Sequence, residues 1–448
     1  MIVDVVMTLG VLMVLALATA ARVTGYSRAM RPWLWIALLE YMLCAVAQFV
    51  FALSDTADSN YYRQAGIELA RFLDAQFGWA SQELLALLLQ RPSAFDLVVS
   101  GAGTNTGSVS AAAAFLSFFS RGSEYAAHAL VAGLSMMGAL SIYESSRDAY
   151  PEIPPSRLFV ATVLFPSVAF WTSALHKEAF CLMGTGLLLA AWRAAYKAKI
   201  RALVYGPLGV ILILMFRAPA LPPLLLGLVI YFVVNRIQKT RGAETTLVGP
   251  VYLALGLGVL AAGMILVSRV SPDLALDRLG ETVAGQQLAW SRVEGGSSFD
   301  LDDTVAQTTA AQLAAAPFAL MNALFRPQLF DVTSPVVLVS ALEMTAITYM
   351  IFRAFRIHGI GGVLIRVQRS PFLLMCTVIT LVGCTFVGLT TKNFGSMARY
   401  RVPFLPFYGA LMAALTAKAT TAVAPKPAKA PGPRGASARP PRTRPVRT

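Results

Sequence analysis

Residues 371–390 read PFLLMCTVITLVGCTFVGLT, a stretch without a single charged side chain. An α-helix of this length crosses the roughly 30 Å hydrocarbon core of a bilayer. Similar stretches recur along the 448 residues, which are 56% hydrophobic and only 13% charged, with a mean hydropathy of +0.63. Soluble proteins carry about 25% charged residues. The alternating ten-residue strands of a membrane β-barrel do not occur. The chain is therefore predicted to be all-α and embedded in a membrane.

About eleven apolar segments are long enough, or nearly so, to be transmembrane helices. They are predicted at 3–22, 32–53, 125–143, 158–175, 178–194, 202–217, 219–236, 248–268, 334–353, 371–390 and 402–418. The first lacks a basic start and a cleavage motif, so it is predicted to be a retained helix rather than a signal peptide. Residues 1–418 are thus expected to form one transmembrane helix bundle.

The positions of Lys and Arg predict the orientation of this bundle. Most of the 37 basic residues fall in one alternate set of loops and in the C-terminal segment, and basic loops stay in the cytoplasm. The N-terminus is therefore predicted outside and the C-terminus inside. Residues 419–448 are rich in Pro, Ala, Arg and Lys, a composition that predicts a disordered cytoplasmic tail, either solvated or attracted to anionic lipid.

Two predicted extracytoplasmic loops are too long to be simple connectors. The first, 54–124, contains an amphipathic stretch at 61–77 that is typical of an interfacial helix, and a Ser/Ala-rich stretch at 107–120 that we interpret as re-entrant or interfacial. The second, 269–334, is polar and turns apolar again near 318–330. The expected fold is a bundle with interfacial helices on one side.

Metal and cofactor chemistry are not expected. The four cysteines all lie within apolar stretches, so no disulfide is predicted, and the three histidines lack ligand spacing. No glycine-rich phosphate-binding motif is present, which makes a lipid-linked donor a better expectation than a nucleotide. Nucleic acid is not an expected partner.

The first candidate site residues follow the second segment. Asp55, Asp58 and Tyr62 lie where a carboxylate could act as a general base on a sugar hydroxyl at the membrane surface. The alternative is a solvated loop in which an aspartate caps the following helix.

A second group, His176, Lys177 and Glu178, sits in a tight turn at the membrane boundary, where unpaired charge is expensive. A snorkelling lysine paired with the glutamate is the alternative interpretation.

Further cations lie on the same predicted side. Arg217 and Arg326 are each suited to bidentate anion binding or to simple interfacial anchoring. One short external loop contains three cations, Lys392, Arg399 and Arg401, although external loops are usually poor in Lys and Arg. These cations are predicted either to bind a diphosphate or to neutralise acidic residues of the other external loops. Together these residues predict a site that activates a hydroxyl with a carboxylate and stabilises a departing phosphate with cations, without a metal.

The order of these motifs resembles the polysaccharide repeat-unit polymerases of the Wzy/EpsG type and related GT-C-like glycosyltransferases of bacteria. The resembling stretches are 55–62, 101–105, 166–173 with 177–178, Arg217, 325–327 and 393–406. The resemblance implies a GT-C-like bundle in which Asp55 is the first-loop acid and Arg399 or Arg401 the final-loop cation. GT-C transferases usually place this acid after the first helix, whereas here it follows the second.

The function implied by the resemblance is polymerisation of polyprenyl-diphosphate-linked repeat units at the periplasmic face of the bacterial inner membrane. The expected partners are the lipid-linked glycan, membrane lipids, and the flippase and the export or chain-length proteins of the same pathway. Two alternatives remain: a transferase that uses polyprenyl-phosphate sugars, and a lipid-linked glycan transporter or flippase. Transporters usually show internal repeats and place their sites at mid-membrane.

Overall fold

The described backbone is almost entirely helical. The structure, a computed structural model, describes residues 2–53, 58–197, 199–241, 309–391 and 393–417, together with a few isolated positions between 258 and 285. The helices are α1 (Ile2–Val23), α2 (Arg31–Ala52), α3 (Asp58–Ala75), α4 (Phe77–Leu88), α5 (Asn105–Phe119), α6 (Glu124–Ala149), α7 (Pro155–Thr162), α8 (Pro166–Thr172), α9 (Lys177–Tyr196), α10 (Arg201–Arg217), α11 (Leu221–Arg241), α12 (Thr309–Phe325), α13 (Pro335–Arg369), α14 (Pro371–Thr390), α15 (Phe394–Tyr400) and α16 (Leu405–Leu415).

Six helical stretches among the described residues are long and apolar enough to cross a membrane. They are Ile2–Val23, Arg28–Phe51, Glu124–Ala149, Arg201–Lys239, Pro335–Arg369 and Pro371–Thr390. The stretch Arg201–Lys239 comprises α10 and α11, because the backbone leaves the helical region at Arg217 (φ −152°, ψ 60°). The predicted all-α fold is confirmed for the described residues, and six of its helical stretches could span a membrane.

Proline positions explain several helix starts. Proline lies in the first turn of α2, α7, α8, α13, α14 and α16. In this position its missing N–H removes no intrahelical hydrogen bond, and its fixed φ favours helix initiation.

The predicted continuous segment 158–175 is wrong. Its residues form two short helices, α7 ending at Thr162 and α8 beginning at Pro166. A proline disfavours the helical conformation in the residue before it, and Phe165 is extended (φ −89°, ψ 109°). The break separates α7 from α8, and Trp171 of α8 lies beside Arg399 and His176.

Close contacts between glycines bring α6, α9 and α10 together. A Cβ on Gly186 of α9 would lie 2.4 Å from the carbonyl oxygen of Gly138 in α6. On the other side of α9, a Cβ on Gly184 would lie 2.8 Å from the carbonyl oxygen of Gly209 in α10. Small residues at helix crossings allow this approach, which dispersion forces stabilise within a membrane.

The amphipathic stretch predicted at 61–77 is helix α3, and 107–120 corresponds to α5. The apolar side of α3, including Leu69 and Leu73, is buried with residues of α4 and α5. At the α3–α5 crossing, a Cβ on Gly66 would lie 2.8 Å from the Cβ of Ala113. These helices stack at the end of the bundle where α9 begins. Most of the predicted span 248–268, most of the loop 269–334 and the whole tail 419–448 lie outside the described residues.

Candidate functional site

Several helix ends meet at one end of the bundle and bring polar side chains together. The first turns of α3, α5 and α9 meet the last turns of α10 and α15 there. The start of α5 is fixed by the Thr104 side chain, which accepts a hydrogen bond from the Thr106 N–H (3.2 Å). The start of α15 is fixed in the same way by Asn393, whose side chain accepts from Gly395 (2.8 Å) and Ser396 (3.2 Å).

Two arginines and two carboxylates form the centre of this site. Arg399 Nη1 lies 2.8 Å from Asp58 Oδ2, and Arg399 Nε lies 3.7 Å from Glu178 Oε1. The same glutamate oxygen is 3.2 Å from Arg217 Nη1. We call these four residues the arginine–carboxylate cluster. It joins residues from four helices that are up to 341 positions apart in the sequence.

The two carboxylates of the cluster differ in exposure. The Glu178 side chain is only 1% exposed, whereas that of Asp58 is 53% exposed. Partial burial raises the pKa of the Asp58 carboxyl, but the adjacent Arg399 guanidinium overrides this effect and holds the pKa below its usual value. Asp58 is therefore ionised at neutral pH and reachable from outside the cluster, while Glu178 is enclosed by the arginines.

Aromatic rings hold the arginines in place. The Arg217 guanidinium lies 3.7 Å from the centre of the Tyr400 ring, and that of Arg399 lies 5.1 Å from the same ring. Arg399 also approaches the Trp171 ring, at 6.0 Å. Cations over aromatic faces are stabilised by the ring quadrupole. These ring contacts hold the two guanidinium groups in fixed positions and stabilise their charges in a partly buried site.

Lys177 adds a third cation beside the cluster. Its Nζ donates to Asn105 Oδ1 (2.7 Å) and Thr106 Oγ1 (2.9 Å) at the start of α5. Burial and the nearby Arg217 charge lower the pKa of the Lys177 ammonium to about 8. Lys177 is thus protonated below this pH, but its charge is easily lost above it.

His176 and Tyr62 complete the wall of the site. The buried His176 ring packs edge-on against Trp171, with ring centres 5.8 Å apart, and its Nε2 has no hydrogen-bond partner among the described residues. Burial lowers the pKa of His176 to about 4, so the imidazole is neutral at pH 7. Tyr62 is buried one helical turn after Asp58, and burial raises the pKa of its hydroxyl. Both rings are therefore uncharged.

The predicted residues Arg326 and Arg401 lie in a separate, neighbouring group. Arg326 forms a two-point ion pair with Asp331 (Nη2–Oδ1 2.5 Å, Nε–Oδ2 3.1 Å). Arg401 is buried and donates to the carbonyl oxygens of Ala323 (2.8 Å) and Arg326 (2.7 Å) and to Ser340 Oγ (3.2 Å). Arg401 therefore ties the end of α12 to α13 and does not face the arginine–carboxylate cluster.

Seven of the predicted site residues are thus brought together, and two more lie beyond the described parts of the chain. Those together are Asp58, Tyr62, His176, Lys177, Glu178, Arg217 and Arg399. Asp55 and Lys392 are the two outside the described residues. Near neutral pH the assembled group holds three cations and two carboxylates. Its net charge of about +1 favours a bound anion.

Sequence reasoning did not assign roles to the residues that position the cations. Asn105 and Thr106 bind Lys177, and Tyr400 lies under Arg217. The glycine-rich turn 101–104 before Asn105 was a usable signal, since Gly101 (φ 75°) and Gly103 (φ 73°) adopt left-handed conformations. A turn of this kind at the start of a helix often marks an anion-binding site.

An apolar cavity of about 270 Å³ lies directly next to these charges. Ala179 and Phe180, which follow Glu178, form one side of it, and Met215 and Phe216, which precede Arg217, form another. Leu116 of α5 contributes to the wall. The site therefore combines cations, an accessible carboxylate and an apolar recess, an arrangement suited to an amphiphilic anion.

Within the described parts of the chain, no group of three or more His, Cys, Asp and Glu side chains is arranged to hold a metal ion. Comparison with known proteins gives no match to a protein family, a curated protein or a solved structure.

Proposed function

We propose that this chain is a membrane glycosyltransferase of bacterial surface-polysaccharide assembly that polymerises polyprenyl-diphosphate-linked repeat units. The observation that carries the proposal is the arrangement of Arg399, which lies between the exposed Asp58 carboxylate and the buried Glu178 carboxylate. Such a group provides a base and an anion site within a few ångströms of each other. Glycosyl transfer from a lipid diphosphate requires both.

In the proposed reaction, Asp58 removes the proton from an acceptor hydroxyl of the glycan. The hydroxyl oxygen forms a bond to the anomeric carbon of the donor sugar as the bond from that carbon to the diphosphate oxygen breaks. The electron pair leaves with the polyprenyl diphosphate. Lys177, Arg217 and Arg399 stabilise the negative charge that develops there, as preorganised cations do in other transfer reactions.

We assign different roles to the two carboxylates because Asp58 is exposed and Glu178 is buried. Asp58 is accessible and ionised, as a general base must be. Glu178 is enclosed by Arg217 and Arg399, so we assign it the role of fixing the two guanidinium groups. Asp55 lies outside the described residues and keeps its predicted role as an alternative base.

The apolar cavity supports a lipid-linked substrate. It begins at the residues next to Glu178 and Arg217 and continues along α9 and α10. An isoprenoid chain placed there would bring its phosphate groups to the cations at the helix ends. This arrangement favours an amphiphilic donor over a soluble nucleotide sugar.

We further propose the finer topology predicted by the sequence: about eleven transmembrane helices in a GT-C-like bundle, located in the inner membrane. In this topology the N-terminus and the arginine–carboxylate cluster are on the periplasmic side. The C-terminus is cytoplasmic. Support comes from the separation of the cluster from the Lys- and Arg-rich loop between α9 and α10, which lies at the other end of α9.

The proposal is tested by replacing Asp58, Glu178 and Arg399 in a host that makes the polymer and then analysing its lipid-linked glycans. We expect D58N and R399Q to abolish polymer while single repeat units accumulate on the lipid carrier. Accumulation of intermediates that lack one sugar would instead favour a polyprenyl-phosphate-sugar transferase. Undiminished polymer in all three variants would exclude the cluster as the site of either reaction, and repeat units retained on the cytoplasmic side would indicate a flippase.

A further inference from the structure

A second cavity, of about 510 Å³, lies at the opposite end of α9 from the arginine–carboxylate cluster. Its basic residues come from three helices: Arg22 at the end of α1, Arg193 in the last turn of α9 and Arg201 in the first turn of α10. Tyr205 of α10 also lines it, and Glu144 of α6 is its acidic residue. We call this space the basic cavity.

One carboxylate holds two of these arginines in place. Arg22 Nη2 lies 2.9 Å from Glu144 Oε1, and Arg193 Nη2 lies 2.8 Å from Glu144 Oε2. The Tyr26 hydroxyl donates to Oε1 as well, at 2.7 Å. Both oxygens of Glu144 are therefore occupied, and each guanidinium keeps further N–H groups that this carboxylate does not use.

The charges of the basic cavity do not cancel. The three lining arginines face one lining carboxylate, and Arg201 forms no ion pair among the described residues. Nearby, Asp148 Oδ2 lies 3.1 Å from Lys197 Nζ and 4.0 Å from Arg193 Nε, so the Asp148 carboxylate offsets the Lys197 charge at the edge of the cavity. The cavity thus retains a charge of about +2, which favours an anion with several acceptor oxygens.

Apart from Ser141, the remaining residues that line the cavity are apolar. Leu134 of α6 and Met183 and Leu187 of α9 line it. Leu134 and Met183 also line the apolar cavity near the cluster, so the two spaces meet at these side chains. A ligand that fits this shape has an anionic head at the helix ends and hydrocarbon chains along α6 and α9.

We propose that the basic cavity binds the headgroup of an anionic phospholipid, with its acyl chains lying against Leu134, Met183 and Leu187. Basic pockets between transmembrane helices are a recognised form of anionic-lipid site. Phosphate diester oxygens accept from Arg22, Arg193 and Arg201, and Tyr205 supplies a hydroxyl. The charged residues of this site are separate from the arginine–carboxylate cluster, and binding of a phospholipid there does not depend on the proposed transferase reaction.

The test uses the full-length protein purified in detergent, with native mass spectrometry and melting temperature as readouts for added phosphatidylglycerol or phosphatidylcholine. We expect phosphatidylglycerol to bind and raise the melting temperature, and phosphatidylcholine to do neither. R201Q should weaken phosphatidylglycerol binding by about fivefold, because each basic residue near an anionic headgroup contributes on the order of 1 kcal/mol. K199Q is the matched control, since exposed Lys199 belongs to the same loop but does not line the cavity.

A second variant tests the apolar part of the site. Ala190 lines the cavity one turn before Arg193, so A190W should fill it and displace the lipid without changing the charge. Equal binding of the two lipids would overturn the proposal, as would unchanged phosphatidylglycerol binding by R201Q. Displacement of the lipid by millimolar inorganic phosphate would also contradict it, by showing a site for a free anion.

Discussion

Arg399 and Arg401 are two residues apart, yet they perform different tasks. Arg399 pairs with Asp58 and Glu178, whereas Arg401 points to the carbonyl oxygens at the end of α12. Arg401 is buried and Arg399 is partly buried, and only Arg399 belongs to the arginine–carboxylate cluster. Replacing Arg401 should therefore disturb packing, and replacing Arg399 should disturb chemistry.

The two carboxylates of the cluster are expected to differ in their effect on stability. E178Q leaves Arg217 and Arg399 without their buried counter-charge and should lower the free energy of unfolding by about 3 kcal/mol. D58N removes a half-exposed partner and should lower it by less than about 1 kcal/mol. Denaturant unfolding of the purified variants measures both values. The exposed Asp74, in the last turn of α3, gives the control variant D74N. Equal destabilisation by E178Q and D58N would contradict the assigned roles.

The charge of Lys177 predicts how activity depends on pH. Its pKa is lowered to about 8, so the ammonium is present below this pH and is lost as the pH rises through it. Glycosyl transfer should therefore decline between about pH 7 and 9, because the anion site loses a cation.

K177R should move this decline to higher pH, since arginine stays protonated throughout the range. The measurement is the rate of transfer at a series of pH values for both proteins. A wild-type rate that stays constant through pH 9 would exclude Lys177 from the anion site.

Many residues of the site could be predicted from the sequence. Which of them lie at the arginine–carboxylate cluster and which lie in the neighbouring group of Arg326 and Arg401 could not. Charged residues at a membrane boundary are costly unless paired or functional, and this rule singled out His176, Lys177 and Glu178. It could not separate Arg399 from Arg401, because the direction of each side chain depends on a seven-residue helix, α15, and on its packing. The positioning role of Tyr400 was missed for the same reason.

At the scale of helices, the crossing of α3 and α5 positions the site. α3 carries Asp58 and Tyr62, and α5 begins with the residues that bind Lys177. A side chain at Gly66 would meet Ala113 Cβ at 2.8 Å and its carbonyl carbon at 2.9 Å, so G66A must push the helices apart.

We expect G66A to lower the free energy of unfolding by about 1–3 kcal/mol and to reduce transfer, because Asp58 moves relative to the cations. Gly78 in α4 has no atom within 4 Å of an added Cβ, so G78A is the matched control and should be neutral or slightly stabilising. Melting temperature and transfer rate measure the two effects. If G66A behaved like G78A, the α3–α5 crossing would have room for an added methyl group, contrary to the 2.8 Å contact.

Most of the long helices could be predicted from the length of apolar segments in the sequence. Where a predicted segment and the observed helix differ, the cause is local. The segments at 371–390 and 202–217 correspond closely to α14 and α10. The segment 158–175 failed because hydropathy does not register the break before Pro166. The predicted span 334–353 is the first part of the longer α13, which changes direction at Gly359 (φ 66°, ψ 166°). Apolar length predicts burial in a membrane better than it predicts helix ends.

At the scale of the whole molecule, the bundle has two chemically different ends. The arginine–carboxylate cluster lies at one end of α9 and the basic cavity at the other. The proposed topology places these ends on opposite sides of the membrane. Arg71 in α3 and Lys199 before α10 are exposed and belong to the two ends.

Labelling single cysteines tests this topology in intact cells. R71C should react with a membrane-impermeant maleimide added from the periplasmic side, and K199C should react only after the inner membrane is opened. Among the native cysteines Cys181, Cys376 and Cys384 are buried, and replacing Cys44 with alanine removes the fourth. Labelling of both positions from one side would contradict the proposed arrangement.

The arginine–carboxylate cluster is proposed to transfer glycans from a lipid diphosphate. The most direct measurement is polymer formation by the purified protein in lipid vesicles supplied with polyprenyl-diphosphate-linked repeat units. Wild-type protein and D74N are predicted to form polymer and release polyprenyl diphosphate, while folded D58N and R399Q are slower by about a hundredfold or more. Polymer formation by D58N and R399Q at the wild-type rate would contradict a role of the cluster in transfer.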